Sequence, residues 1–140
     1  MIRKATAVWT GTLKEGAGNL SSTSGVLQQT PYAFNNRFED VPGTNPEELV
    51  AAAHAGCYSM ALSGAIGRAG FTAERIETTA SVTLETVDGK PTVTRSDLSV
   101  VVSVPGMPEA DLRQAAEDTK SGCPISRLLN AEMALEVTIL

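Results

Sequence analysis

Residues 45–70 constrain this chain more than any others. Asn45 is a good helix cap, and Pro46 suits the first helical position, where its fixed φ is right and its missing donor costs nothing. Glu48, three residues after the cap, is placed to reach back to the Asn45 amide as in a capping box. The pattern predicts a helix to about Ala69, stopped by Gly70. Its faces are not cleanly amphipathic. Leu49, Val50, Ala53, Ala55, Cys57, Met60, Ala61, Leu62, Ala65 and Ile66 wrap most of the way round. A helix apolar on nearly every side is central, covered by other elements or by a partner chain. Its small residues let another backbone come close.

The rest of the chain reads as strands and shorter helices around that centre. Residues 2–11, 16–22 and 25–29 are predicted strands, with Thr30-Pro31-Tyr32 breaking the pattern and 33–38 a short extended piece. Residues 71–87 and 91–104 form a long β pattern about an Asp88-Gly89 hairpin signal, with Leu98, Val100, Val102 and Val104 alternating at period two. A second helix is predicted over 109–120, a short third over 124–130 and a last strand over 133–140. This order makes an α+β fold with an antiparallel sheet. There is no repeat or linker, and 140 residues suit a single domain spanning 1–140.

Composition excludes several classes of function. A hydrophobic content of 42% with 19% charged residues is that of a folded chain. A net charge of -5 without a basic block argues against a nucleic-acid partner. No stretch is expected to span a bilayer, and the opening Met1-Ile2-Arg3-Lys4-Ala5-Thr6 lacks the apolar core of a secretion signal. The expected compartment is the cytoplasm, where a permanent disulfide is improbable and paired thiols lean toward catalysis or sensing. One histidine and two cysteines, with no Cys-x-x-Cys, are a thin set for zinc, although carboxylates could add to it.

The two cysteines stand in different settings. Cys57 is mid-helix, so a cation must be brought to it if it is to react as a thiolate. Candidates are His54, one turn earlier, Arg37, in the preceding segment, and Arg68. Arg68 lies roughly 16 Å up the same helix, too far to help. Arg37 is favoured because a guanidinium keeps its charge when desolvated. Cys123, in Gly122-Cys123-Pro124, is placed to cap the third helix, whose amides and dipole lower its pKa. The plainer alternatives are two small buried hydrophobes, a solvated loop charge at Arg37, helix capping by Glu47 and Glu48, and a satisfied core histidine at His54. The last is preferred over a catalytic base.

These residues carry a resemblance. Thr44-Asn45-Pro46-Glu47-Glu48-Leu49, followed by Ala52-Ala53-His54-Ala55-Gly56-Cys57-Tyr58-Ser59-Met60-Ala61-Leu62-Ser63, resembles the central-helix signature of the osmotically inducible protein C (OsmC) and organic hydroperoxide resistance (Ohr) family. Lys120-Ser121-Gly122-Cys123-Pro124-Ile125-Ser126 is similar to its second-cysteine motif. Ser24-Gly25-Val26-Leu27 and the segment from Pro31 to Glu39 fit the OsmC branch better than the Ohr branch. Gly56 stands where relatives often carry alanine. The resemblance implies an OsmC-like fold, an antiparallel sheet wrapped on a long central helix in an intertwined homodimer. It implies a thiol peroxidase, active in stress defence, that reduces organic hydroperoxides to alcohols. By motif position Cys57 is the peroxidatic cysteine, Cys123 the resolving one, Arg37 the thiolate-stabilising arginine and Glu47 the carboxylate that orients it. No bound cofactor is implied. The reductant is an external dithiol, a dihydrolipoyl group in some relatives, and neither membrane nor nucleic acid is a partner.

One geometric expectation goes beyond the resemblance. Ten helical residues put Glu47 roughly 15 Å along the axis from Cys57. A two-fold axis pairing the helix antiparallel with its mate would bring Glu47 of one subunit toward Cys57 of the other. Two other classes of function compete with the peroxidase: a hydrophobic-ligand binding module with inert thiols, and a cysteine hydrolase using Cys57 and His54.

Overall fold

The computed structural model describes residues 1–39 and 41–140. The chain divides into two compact units, Met1–Leu49 and Val50–Leu140.

The first unit is built on an antiparallel sheet of β1 (Ala5–Thr10), β2 (Ala17–Ser22) and β3 (Thr30–Tyr32), in that order. Gly18 is opposite both Trp9 and Tyr32. A Cβ there would come within 2.5 Å of the Tyr32 ring, so only glycine lets the two aromatic rings meet, at a centroid distance of 5.4 Å. Two expectations fail in this unit. Residues 25–29 are a turn, because Gly25 and Gln29 sit at φ 77° and 48°, outside the strand region. The strand is instead Thr30-Pro31-Tyr32, which tolerates proline because it lies at the sheet edge. Residues 33–38 are not extended either. Phe34–Arg37 form a 3-10 turn that stacks Phe34 on Phe38.

The second unit holds most of α1 (Pro46–Arg68), the hairpin β4 (Arg75–Val87) and β5 (Lys90–Ser103), α2 (Glu109–Gly122), α3 (Pro124–Leu128) and β6 (Leu135–Ile139). Asp88 and Gly89, both at positive φ, make the tight turn that the sequence signals. β4 and β5 pair antiparallel with a bulge at Thr83/Leu84. β6 then joins β5 in parallel, which departs from a purely antiparallel sheet. The cause is topological. The two helices between β5 and β6 form a crossover that returns the chain in the direction it came from.

The core is where two periodicities meet. His54, Tyr58, Leu62 and Ile66 recur every four residues on one face of α1, and all are fully buried. Ser96, Leu98, Val100 and Val102 alternate on one face of β5, each at most 2% exposed. Leu112 and Ala116 of α2 close the cluster, and the Tyr58 hydroxyl donates to the Ala116 carbonyl at 2.9 Å. The opposite face of α1 is open in the single chain, with Met60 78% exposed. Against expectation, α1 is long and apolar enough to cross a membrane by length and composition, with a mean hydropathy of 1.4 over its best window. Its buried face, however, is fixed to protein.

Leu62 is fully buried at the centre of this core. Leu62→Ala should lower unfolding free energy by about 2–5 kcal/mol, through lost burial plus a residual cavity. Denaturant titration followed by circular dichroism checks this.

Candidate active site

In the second unit, α1 and the α2–α3 junction bring the two sulfurs together. Cys57 is on α1, one residue before the core position Tyr58, and is partly exposed. Cys123 is fully buried and caps α3, with Pro124 behind it and its Sγ accepting from the Ser126 amide at 3.4 Å. The two Sγ atoms are 3.2 Å apart, each a free thiol. A disulfide needs about 2.05 Å, so a small side-chain movement joins them.

The two thiols differ electrostatically. Burial pushes the Cys57 thiol up; the Ile125 amide opposes this and the neighbouring Cys123 adds to it, so the net shift is upward. Burial also pushes Cys123 up. There the Ser126 hydroxyl and amide, the Cys57 side chain and the Ile125 amide outweigh it, and the net shift is downward. The cap therefore does to Cys123 what its sequence position predicts. Within residues 50–140 no cationic side chain is among the groups that act on Cys57.

His54 is a satisfied core histidine, as preferred from the sequence. Its Nδ1 lies 2.7 Å from Ser96 Oγ and its Nε2 2.9 Å from Ser126 Oγ. Burial holds its pKa below the usual imidazole value. With both nitrogens engaged, neither is free to serve Cys57 as a base. Ser96 and Ser126 were not singled out from the sequence, yet both were within reach of it. Ser96 extends the period-two row of β5 backward by one step, and Ser126 is three residues after the cap.

In the first unit, Arg37 Nε donates to Glu47 Oε2 at 3.2 Å. Both side chains are partly buried. The 3-10 turn presents Arg37, and the turn itself is held by side-chain amides. Asn45 Nδ2 donates to the Asn36 carbonyl at 2.8 Å, and Asn36 Nδ2 donates to the Val41 and Pro42 carbonyls. Gly43, at φ 128°, is packed so closely that a Cβ would lie 2.6 Å from the Pro31 carbonyl. Asn45 Oδ1 caps α1 by accepting from the Glu48 amide at 2.8 Å. The Glu48 carboxylate does not complete the capping box; it accepts from the Thr44 hydroxyl at 2.9 Å instead. Glu47 is thereby left to Arg37. Beside them lies an apolar hollow of about 270 Å³, formed by Trp9, Leu13, Tyr32, Phe34 and Pro46 with Arg37 on its wall. Among the described residues, no group of three or more His, Cys, Asp or Glu is placed to hold a metal ion.

The family model for OsmC-like protein matches residues 38–138. Peroxiredoxin OsmC of Escherichia coli is 48% identical over 134 residues, covering 96% of this chain and 94% of that protein. This chain belongs to the OsmC-like family. Solved structures share the OsmC-like fold. An OsmC-like protein of unknown function from Vibrio cholerae superposes with a TM-score of 0.78 at 18% identity, covering 99% of both chains. The organic hydroperoxide resistance protein OhrB of Bacillus subtilis gives 0.69 at 21% identity over 98% of both chains.

The thiol spacing in this OsmC-like protein sets an outcome that needs no peroxide. A mild thiol oxidant such as diamide should close a Cys57–Cys123 bridge within one chain. Intact mass without reductant should show monomeric chain lacking the mass of both thiol hydrogens; chain-to-chain crosslinks as the main product would contradict the geometry.

Proposed function

We propose that this chain is a thiol peroxidase that reduces organic hydroperoxides to alcohols through Cys57 and Cys123. The observation that carries this reading is the 3.2 Å separation between a partly exposed thiol and a buried, helix-capping one. The exposed sulfur can meet a substrate, and the capped one is primed to attack whatever the first becomes.

Cys57 attacks the peroxide oxygen distal to the alkyl group, the O–O bond breaks and an alcohol leaves. The sulfenic acid on Cys57 condenses with Cys123 to a disulfide and water. An external dithiol, for which a dihydrolipoyl group is suited, reopens the bridge by exchange. A compartment that keeps thiols reduced between turnovers, the cytoplasm, fits this cycle.

Ionising Cys57 requires a positive charge, since burial works against it and the second unit offers no cation for the task. We assign that role to Arg37, oriented by Glu47. Their hydrogen bond makes them a pair, so whatever delivers one delivers the other. The helical spacing between Glu47 and Cys57 favours delivery from a second copy of the chain, in an intertwined homodimer whose two units act as one peroxidase domain. The open small-residue face of α1 supports this, with nothing within 4 Å of a Cβ built at Gly56 or Gly67. The apolar hollow beside Arg37 suits the hydrocarbon part of an alkyl peroxide, which hydrogen peroxide lacks. The hydrolase reading fails on His54, whose nitrogens both serve serines. A binding module with inert thiols gives no reason for a capped cysteine at this distance.

Cumene hydroperoxide consumption with dihydrolipoamide is the test. Cys57→Ser should abolish turnover, and Cys123→Ser should permit a single oxidation that dimedone traps as sulfenic acid. Arg37→Ala should lower kcat/KM by about a hundredfold or more, as for loss of a charge-stabilising donor. Glu47→Gln should cost less, because it leaves the guanidinium in place. A chain that consumes no peroxide, or an Arg37→Ala protein with an unchanged rate, would overturn the corresponding assignment.

A further inference from the structure

Behind the thiol pair runs a line of buried polar side chains that the cycle above leaves unused. It starts at Ser96 on β5, passes through His54 on α1 and ends at Ser126 on α3, with contacts of 2.7 and 2.9 Å. All three residues are buried. Ser126 meets Cys123 through its amide at 3.4 Å, and its hydroxyl is among the groups that pull the Cys123 pKa down. Among the described residues no buried side-chain nitrogen or oxygen lacks a partner, so the line is complete as it stands.

Its direction matters because a hydroxyl has one hydrogen. Burial keeps His54 neutral, so one ring nitrogen donates and the other accepts. If Nε2 accepts from Ser126, that hydrogen is used up and Cys123 must keep its own proton. If Nε2 donates to Ser126 and Nδ1 accepts from Ser96, the Ser126 hydrogen is free to point at Cys123. The first arrangement favours a thiol and the second a thiolate.

We propose that the Ser96–His54–Ser126 line prepares Cys123 for the resolving step, with Ser126 as the hydroxyl against the sulfur and His54 as the positioning residue that frees its hydrogen. This rests on the assignment of Cys123 as the resolving thiol. A fully buried sulfur is poorly served by a fixed cation, whose own desolvation is costly when the sulfur is a neutral thiol or half of a disulfide. Neutral donors avoid that cost and strengthen only when the charge appears. The step balances without a further reagent. Cys123 releases its proton and the thiolate attacks Cys57 Sγ. The S–S bond forms, the S–O bond of the sulfenic acid breaks, and the departing hydroxide takes up a proton and leaves as water. The other titratable groups around this sulfur are Cys57 and Tyr58 on α1 and, acting on Tyr58, Glu117 of α2, which is paired with Lys120. The Tyr58 hydroxyl is committed to the Ala116 carbonyl.

The test is a titration of Cys123 as the single thiol of Cys57→Ser protein, read by ultraviolet thiolate absorbance. Ser126→Ala should move that titration to higher pH, and Ser126→Thr, which keeps a hydroxyl, should return it toward the parent value. In the two-thiol protein, Ser126→Ala should slow disulfide closure after one oxidation by about tenfold at neutral pH, as for one hydrogen bond to a charged acceptor. The deficit should fade at alkaline pH, where the thiol ionises unaided. Ser96→Ala touches neither sulfur and should shift the Cys123 titration in the same direction by less. Should Ser126→Ala fail to fold, the Ser96→Ala titration decides alone. Cys123 titrating as in the parent in the folded variants would overturn the proposal. Sulfenic acid formation in Cys123→Ser protein is read separately, so its absence would sink the peroxidase cycle without touching this result.

Discussion

The contact on which the rest of this structure depends is the seating of α1 against β5. One surface repeats every four residues and the other every two, and they mesh along Tyr58, Leu62 and Ile66 on the helix and Leu98, Val100 and Val102 on the strand. Three apolar steps fix the helix in rotation and in height. That leaves no freedom at the end of the row, where His54 meets Ser96 and where Cys57, one residue before Tyr58, is turned toward Cys123. A helix rotated by one residue would present Cys57 or Ser59 to the core in place of Tyr58 and would break the Tyr58–Ala116 hydrogen bond. The distance between the sulfurs is therefore held by hydrophobic packing well away from them.

The polar end of the row also separates the two thiols chemically. Both experience burial as an upward push. Only Cys123 has enough fixed donors to reverse it, because it alone stands at a helix start. Cys57, in mid-helix, has its nearby amides committed to the helix itself. A mid-helix thiol must borrow its charge stabilisation, and a capping thiol carries its own. This difference suits the opposite demands of the two half-reactions in the proposed cycle. The first needs an activated sulfur open to solvent, and the second needs one that waits, shielded, until its partner is oxidised.

What could be read from the sequence follows from the range over which each signal acts. The Asn45-Pro46 start of α1, the Asp88-Gly89 turn and the Cys123-Pro124 cap were legible because each is decided within about four residues by φ preferences and local donors. The Thr30–Tyr32 strand was not, because proline argues against a strand unless it is known to lie at an edge, and edges are set by distant pairing. The parallel pairing of β6 depends on a crossover of two helices, which no local pattern encodes. The two cysteines and the Arg37–Glu47 pair are legible from residue type, position and resemblance. Ser96 and Ser126 were passed over because serine is so often a surface residue. Only their meeting at His54, across separations of 42 and 72 residues, gives them a role.

The open face of α1 raises a last question of what covers it. Only 22% of its most apolar window is buried within the chain. A bilayer would accept that face by hydropathy, yet the other face of the same helix is bonded to a sheet and to α2 through Tyr58 and Ser59. A helix sunk in lipid would need every side apolar or satisfied, and the flanking strand β4 carries Arg75, Glu77 and Glu85. Alanine and glycine at 51–53, 55, 56, 64, 65 and 67 are too small to hold lipid chains well but allow a second helix to approach closely. Left bare in water, such an apolar surface is of the kind that marks an interaction site. In the homodimer proposed above, a second, antiparallel copy of α1 would cover this face, and the Arg37–Glu47 pair assigned there to Cys57 would come with it.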